Sequence, residues 1–152
     1  MNTLVGYRQA VVGDVEDMAR IYYGQKSYDK NLDDWKARIS DKDTWSIVAI
    51  QDKELVGYII SFTGPDADGN MPEPQKRIRI LKTLPAKEEL LSPLLEKGII
   101  KANELQLEYI EAWIFESEPN VKKDVFLNNG FQLTGEKRIV KDELKYRYYK
   151  EL

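Results

Sequence analysis

The sequence predicts an α/β protein (α+β mixed), a mixed and mostly antiparallel sheet flanked by helices. Three observations predict it. Segments of strand alternation and helical spacing succeed one another in the order β-α-α-β-β-β-α-β-α-β-β, a pattern that buries its apolar faces as helices packed on one sheet. The stretch from Glu108 to Phe131 (EYIEAWIFESEPNVKKDVFLNNGF) reads as strand, Pro/Asn bend, short helix and new strand. Finally, no repeat, low-complexity segment or linker interrupts the 152 residues, so a single domain spanning 1–152 is expected.

Each element has its own signal. Leu4–Val12 mixes Val, Tyr and Leu with Arg8 and Gln9 and predicts a first strand. Gly13-Asp14 punctuates it, and Asp14 is placed to cap a helix over Val15–Tyr23 whose apolar face is Val15, Met18, Ala19 and Tyr22. After the polar connection Gly24–Asn31, which carries Tyr28, Leu32, Trp35 and Ile39 mark a second helix. Trp45–Ile50 and Leu55–Phe62 form a hairpin about Gln51–Glu54. The loop Thr63–Gln75 holds three prolines and two glycines and belongs on the surface. Its Asp66–Asn70 run starts like a calcium loop, but Met71 and Arg77 occupy the positions that an EF-hand fills with Gly and Glu. Arg77–Leu84 returns to alternation. Ser92-Pro93 then signals a helix start, with Leu94, Leu95, Ile99, Ala102 and Leu105 as its buried face.

In Glu108–Phe131, Tyr109, Glu111, Trp113 and Phe115 alternate with Ile110, Ala112 and Ile114, as in a strand with two unlike faces. Glu116–Asn120 breaks the strand. Val121 and Val125 share a helical face with Phe126 beside them, and Asn129-Gly130 stops that helix. Phe131–Val140 and Glu143–Tyr149 close the chain as two strands, with Leu144, Tyr146 and Tyr148 on one face.

Composition narrows the chemistry. Hydrophobic content of 42% with 32% charged residues is ordinary for a soluble globular protein. With 26 acidic and 23 basic residues the net charge is −3, which is no electrostatic footprint for nucleic acid. There is no Cys and no His, which removes disulfides, thiolate nucleophiles, Cys/His zinc sites and Ser-His-Asp triads. Catalysis would have to use carboxylates, Lys, Tyr, Ser/Thr, water or backbone groups. No apolar signal core or membrane-spanning run is seen, so cytoplasmic residence is expected, with no membrane partner.

The element order resembles the Gcn5-related N-acetyltransferase (GNAT) superfamily over essentially the whole chain. So do Arg8-Gln9-Ala10…Asp14…Met18, the hairpin return Glu54-Leu55-Val56-Gly57-Tyr58 and the late Gly130-Phe131. The resemblance implies a GNAT-type acyl-CoA N-acyltransferase fold. It also implies acetyl-CoA as co-substrate, no metal, and a small-molecule or peptide amine that attacks the thioester directly. A homodimer is left open.

By that resemblance the fourth and fifth strands splay. The pantetheine arm lies between them on the backbone of Ile80, Leu81, Lys82 and Thr83, and the pyrophosphate on the loop and helix start that follow. The family's Arg/Gln-x-x-Gly-x-Gly/Ala loop overlays Lys87-Glu88-Glu89-Leu90-Leu91-Ser92. Lys87, Leu91 and Ser92 are thus implied coenzyme contacts. Leu90 replaces the first glycine, Glu88 and Glu89 set negative charge beside an anion site, and Pro93 lacks an N–H. The family's proton-donating Tyr, counted back from Gly130, falls on Phe126, which has no proton to give and also reads as core. Asn120, in the bend, reads either as a coenzyme contact or as a helix cap. Glu111 and Glu116 are the candidate bases, with surface charge as the alternative for each. Tyr28 and Trp35 lie where the family builds its acceptor pocket, and Trp35 also lies on an apolar helix face. Against the enzyme stands a GNAT-like domain that has lost turnover and serves as a CoA-binding or protein-interaction module. A third reading is an interaction protein using the aromatic strand of Tyr146, Tyr148 and Tyr149.

Overall fold

The computed structural model describes residues 4–23, 32–42, 44–62, 77–83 and 88–152, with 22, 23 and 77–83 described by their backbone. The chain runs β1 (Gly6–Gln9), a 3-10 turn (Val12–Asp14), α1 (Val15–Tyr23), α2 (Asp33–Ser40), β2 (Thr44–Gln51), β3 (Glu54–Phe62) and β4 (Arg77–Thr83). It continues through a second 3-10 turn (Glu88–Leu90), α3 (Leu91–Glu104), β5 (Tyr109–Phe115), α4 (Asn120–Asn128), β6 (Gln132–Val140) and β7 (Glu143–Glu151). The seven strands form one sheet in the order β1-β2-β3-β4-β5-β7-β6. Every neighbouring pair is antiparallel except β4 with β5. Two hairpins turn on residue pairs that both take positive φ, Asp52-Lys53 and Lys141-Asp142, the backbone twist that two-residue hairpin loops need.

Adjacent strand residues point to opposite faces, so neighbours on β3 divide the core in two. Ile59 joins Leu90, Leu94, Leu95, Ala102, Ile110, Ala112, Ile114, Phe126 and Tyr148, which puts α3 and α4 on one face. Tyr58 and Ile60 join Met18 and Val48, with Ile21 and Trp35 packed against them, which puts α1 and α2 on the other.

Element order agrees with expectation throughout, and several boundaries move. The first strand is shorter than Leu4–Val12, and Leu4 stands almost fully in solvent. Asp14 ends the 3-10 turn ahead of α1 instead of capping it. Its buried carboxylate accepts the Val11 N–H at 2.8 Å, half of a capping box, and both Arg8 Nη atoms at 2.7 and 2.8 Å. Helix α3 begins at Leu91, directly out of the 3-10 turn, so Ser92 is its second residue and not its cap. Burial of both Leu90 and Leu91 winds the chain early. Ser92 Oγ instead accepts Asn129 Nδ2 at 3.2 Å, tying the start of α3 to the end of α4. Leu105, expected inside, is the exposed C-cap residue of α3. In α4 it is Pro119, and not Asn120, that occupies the N-cap position.

The stop of α4 follows expectation in detail. Gly130 takes φ +90°. The Phe131 N–H bonds to the Phe126 carbonyl and the Gly130 N–H to that of Leu127, both at 3.1 Å, which is a Schellman motif. Its usual hydrophobic contact is the Phe126–Phe131 ring pair, edge to face at 5.0 Å.

Candidate functional site

The parallel ladder between β4 and β5 is short. Among the described residues it pairs Arg77 with Tyr109, Ile78 with Ile110 and Arg79 with Glu111, and no further. Beyond Glu111 each strand keeps its other neighbour: β5 stays paired with β7 as far as Phe115, and β4 with β3 as far as Thr83. The two strands therefore part like a fork whose vertex is Arg79/Glu111. Among the described residues no strand pairs with Ile80–Thr83 on the side where a continuing β5 would lie. An extended chain carrying amides can pair there, as in strand addition. The β3–β4 register slips between Ile60 and Ser61, which leaves Leu81 as an extra residue on β4. Such bulges re-aim the backbone beside them.

Glu111 sits at the vertex, 1% exposed. It lies on the α1/α2 face of the sheet, because its neighbours Ile110 and Ala112 belong to the α3/α4 core. Burying a carboxylate requires hydrogen-bonded charge partners. Arg147 of β7 donates Nε to Glu111 Oε2 at 2.6 Å and Nη1 to Glu136 Oε2 at 2.8 Å. Burial disfavours the Arg147 cation, but hydrogen bonding and charge attraction from Glu111 and then Glu136 outweigh it and raise its pKa above the ordinary arginine value. Glu136 reaches Arg147 through a large bulge in β6. Leu133 pairs with Tyr148 and Lys137 with Tyr146, so Thr134, Gly135 and Glu136 together face Arg147. Gly135 takes φ +88° there. Thr134 Oγ1 accepts the Glu136 N–H at 3.1 Å and donates to Glu136 Oε2 at 3.2 Å, which fixes that side chain.

The other expected site residues are scattered. Glu116 lies past the end of β5, exposed; its N–H is taken by the Leu144 carbonyl at 2.8 Å and its carbonyl by Lys123 Nζ at 2.7 Å. Asn120 is exposed at the start of α4. Leu91 is buried in the α3/α4 core, and so is Phe126, 2% exposed between Phe131 and Tyr148. Glu88 and Glu89 point to solvent. Trp35 stands edge-on to Tyr58 at 6.1 Å, packed on the core between α2 and β3. Tyr28, Lys87 and the Asp66–Asn70 run lie outside the described residues. Of the expected contacts, the structure groups Ile80–Thr83 and Glu111 about one fork. Arg147 and Glu136 complete that site and were not among the expected residues; Gly135 inside a strand pattern is the signal that could have marked the bulge.

No protein-family model matches the sequence, and no curated protein does. Solved structures match it almost end to end. A ribosomal-protein-alanine N-acetyltransferase from Brucella melitensis superposes with TM-score 0.78 at 17% identity, covering 97% of this chain and 99% of its own. The Arabidopsis thaliana protein NAA60, solved with a bisubstrate analogue, gives 0.75 at 11% identity over 98% and 99%. An acetyltransferase of the GNAT family from Streptococcus pneumoniae gives 0.72 at 11% identity over 98% and 100%. The chain has the GNAT acetyltransferase fold. The start of α3 is a poor anion cradle, because Leu90 and Leu91 face the core and Glu88 and Glu89 face solvent.

Proposed function

We propose that the protein is an N-acyltransferase that moves an acetyl or related acyl group from acyl-CoA to the amine of a small molecule or peptide. The observation that carries this reading is the β4/β5 fork with a buried carboxylate at its vertex. On this reading the pantetheine arm pairs with the Ile80–Thr83 backbone, Lys87 and Ser92 are assigned to the phosphates, and Tyr28 and Trp35 to the acceptor. The neutral amine attacks the thioester carbonyl, the C–N bond forms, and the C–S bond breaks with its electron pair leaving on sulfur. The proton lost from nitrogen passes to Glu111, directly or through one water. Glu111 is preferred over Glu116 because it stands at the fork and Glu116 stands in solvent. The thiolate takes its proton from solvent, since Phe126 has none to give. The whole chain acts as one cytoplasmic domain, and direct attack needs no metal.

Glu88 and Glu89 in solvent and Phe126 in the core favour a second reading, a GNAT-like module that binds CoA without turnover. Thermal unfolding with coenzyme A and acetyl-CoA is the first test. A ligand at 100 times its dissociation constant stabilises by about 2.7 kcal/mol. An unmoved midpoint at millimolar ligand sinks both readings. A shift with no transfer to a panel of amines leaves only the second.

A further inference from the structure

The buried Glu111 carboxylate is a costly thing to keep inside a strand. A hydrophobic residue of similar size is often neutral or better for stability. The sheet nevertheless adds a three-residue bulge, a positive-φ glycine and a second carboxylate, all converging on Arg147. Three adjacent strands thus each supply one member of a chain: Glu111 from β5, Arg147 from β7 and Glu136 from β6.

We infer that Arg147 is a positioning residue for acyl transfer: anchored by Glu136 in the β6 bulge, it holds the Glu111 carboxylate at the fork and sets the pH range in which that carboxylate takes the amine proton. The inference rests on the reading of Glu111 as proton acceptor. Glu111 also has neighbours on the flanking strands. Arg79 is the register neighbour of Glu111 on β4, and Tyr149 is its neighbour on β7. The Arg147 guanidinium lies over the Tyr149 ring at 5.1 Å, and that ring packs at a 40° tilt against Tyr109. Arg147 is 18% exposed and Glu136 59% exposed, so the outer carboxylate can be changed without opening the core.

Arg147 and, beyond it, Glu136 act on Glu111 with opposite sign. Removing the cation in Arg147→Gln withdraws support from the ionised carboxylate, so the acid limb of the kcat/KM profile moves to higher pH. Removing the outer anion in Glu136→Gln withdraws repulsion, so the same limb moves to lower pH, with the unfolding midpoint nearly unchanged. In both variants kcat falls while the KM for acyl-CoA stays within about threefold, because the pantetheine contacts are untouched. Arg147→Lys keeps the charge, loses the two-pronged geometry and recovers only part of kcat. Limbs that stay in place in folded Arg147→Gln and in Glu136→Gln overturn the inference, as do limbs that move in one direction. If Arg147→Gln does not fold, Glu136→Gln alone decides by the same criterion. Glu111→Gln separates the two levels. Full activity there removes the proton-acceptor reading itself, whereas lost activity there with unmoved limbs in the other variants removes only the role of Arg147.

Discussion

At the scale of single residues, buried charges show how a small number of atoms fix a local shape. Asp14 is nearly buried where β1 gives way to α1, and its two oxygens serve Arg8 and the Val11 N–H together. Hydrogen bonding from Arg8 is the largest influence and, with Val11, outweighs burial, so the Asp14 pKa lies below the ordinary aspartate value. A group whose folded pKa is depressed contributes stability that is present above its unfolded pKa and is lost as pH falls through the folded one. Asp14→Asn is therefore expected to destabilise by about 1–2 kcal/mol near neutrality, where charged hydrogen bonds are lost. The deficit narrows once the pH drops below the ordinary aspartate value of 3.8 and closes at the acid end. Denaturant unfolding of both proteins across pH checks this. A deficit equal at pH 7 and at the acid end would mean that the Arg8 pair contributes nothing.

At the scale of elements, the stop of α4 is the clearest link from sequence to shape. Phe126, Gly130 and Phe131 are one device: glycine reverses the chain at φ +90°, the carbonyls of Phe126 and Leu127 are satisfied, and the two rings close over the turn. Gly130→Ala would put a Cβ in a left-handed conformation and 2.6 Å from Lys150 Nζ, the flexible end of a side chain that can swing away. The backbone strain remains, at about 1–2 kcal/mol. The expected result is a midpoint lower by a few degrees with acyl transfer retained, and Gly130→Asn should lose less because Asn tolerates this conformation. Equal midpoints for all three proteins would count against the strain. The same device explains what the sequence left ambiguous at position 126. Spacing from Gly130 places a family proton donor there, but the geometry needs an apolar ring facing Phe131. Boundaries set by local chemistry, such as Asn129-Gly130 and the Gln51–Glu54 turn, were legible. The start of α3 was not, because the Ser92-Pro93 signal yielded to burial of Leu90 and Leu91, a tertiary effect.

At the scale of the whole molecule, strand order was not read from the sequence, since β7 enters between β5 and β6 by non-local pairing. Glu111 was legible as a carboxylate on a two-faced strand. Its partner Arg147 lies 36 residues on, and only the β5–β7 register brings them together. On the proposed acyltransferase reading, that arrangement also decides where coenzyme affinity would come from. The fork offers uncharged backbone to an extended amide chain, while the start of α3 offers two exposed acids, a buried leucine pair and Pro93 in the first turn. The chain as a whole carries a net charge of −3. Pantetheine without the nucleotide is therefore expected to keep most of the stabilisation that coenzyme A gives. The coenzyme A shift should hold or rise between ~0.05 and ~0.5 M salt, because salt screens attraction and repulsion between exposed charges alike and the exposed acids here repel the phosphates. Thermal shifts with both ligands at both salt levels measure this. A coenzyme A shift that collapses at high salt, with none from pantetheine, would place the binding energy on the phosphates and overturn the fork as its main source. Under the expected outcome, Glu88→Gln with Glu89→Gln tightens coenzyme A and leaves pantetheine unchanged, because only the nucleotide end meets those two charges.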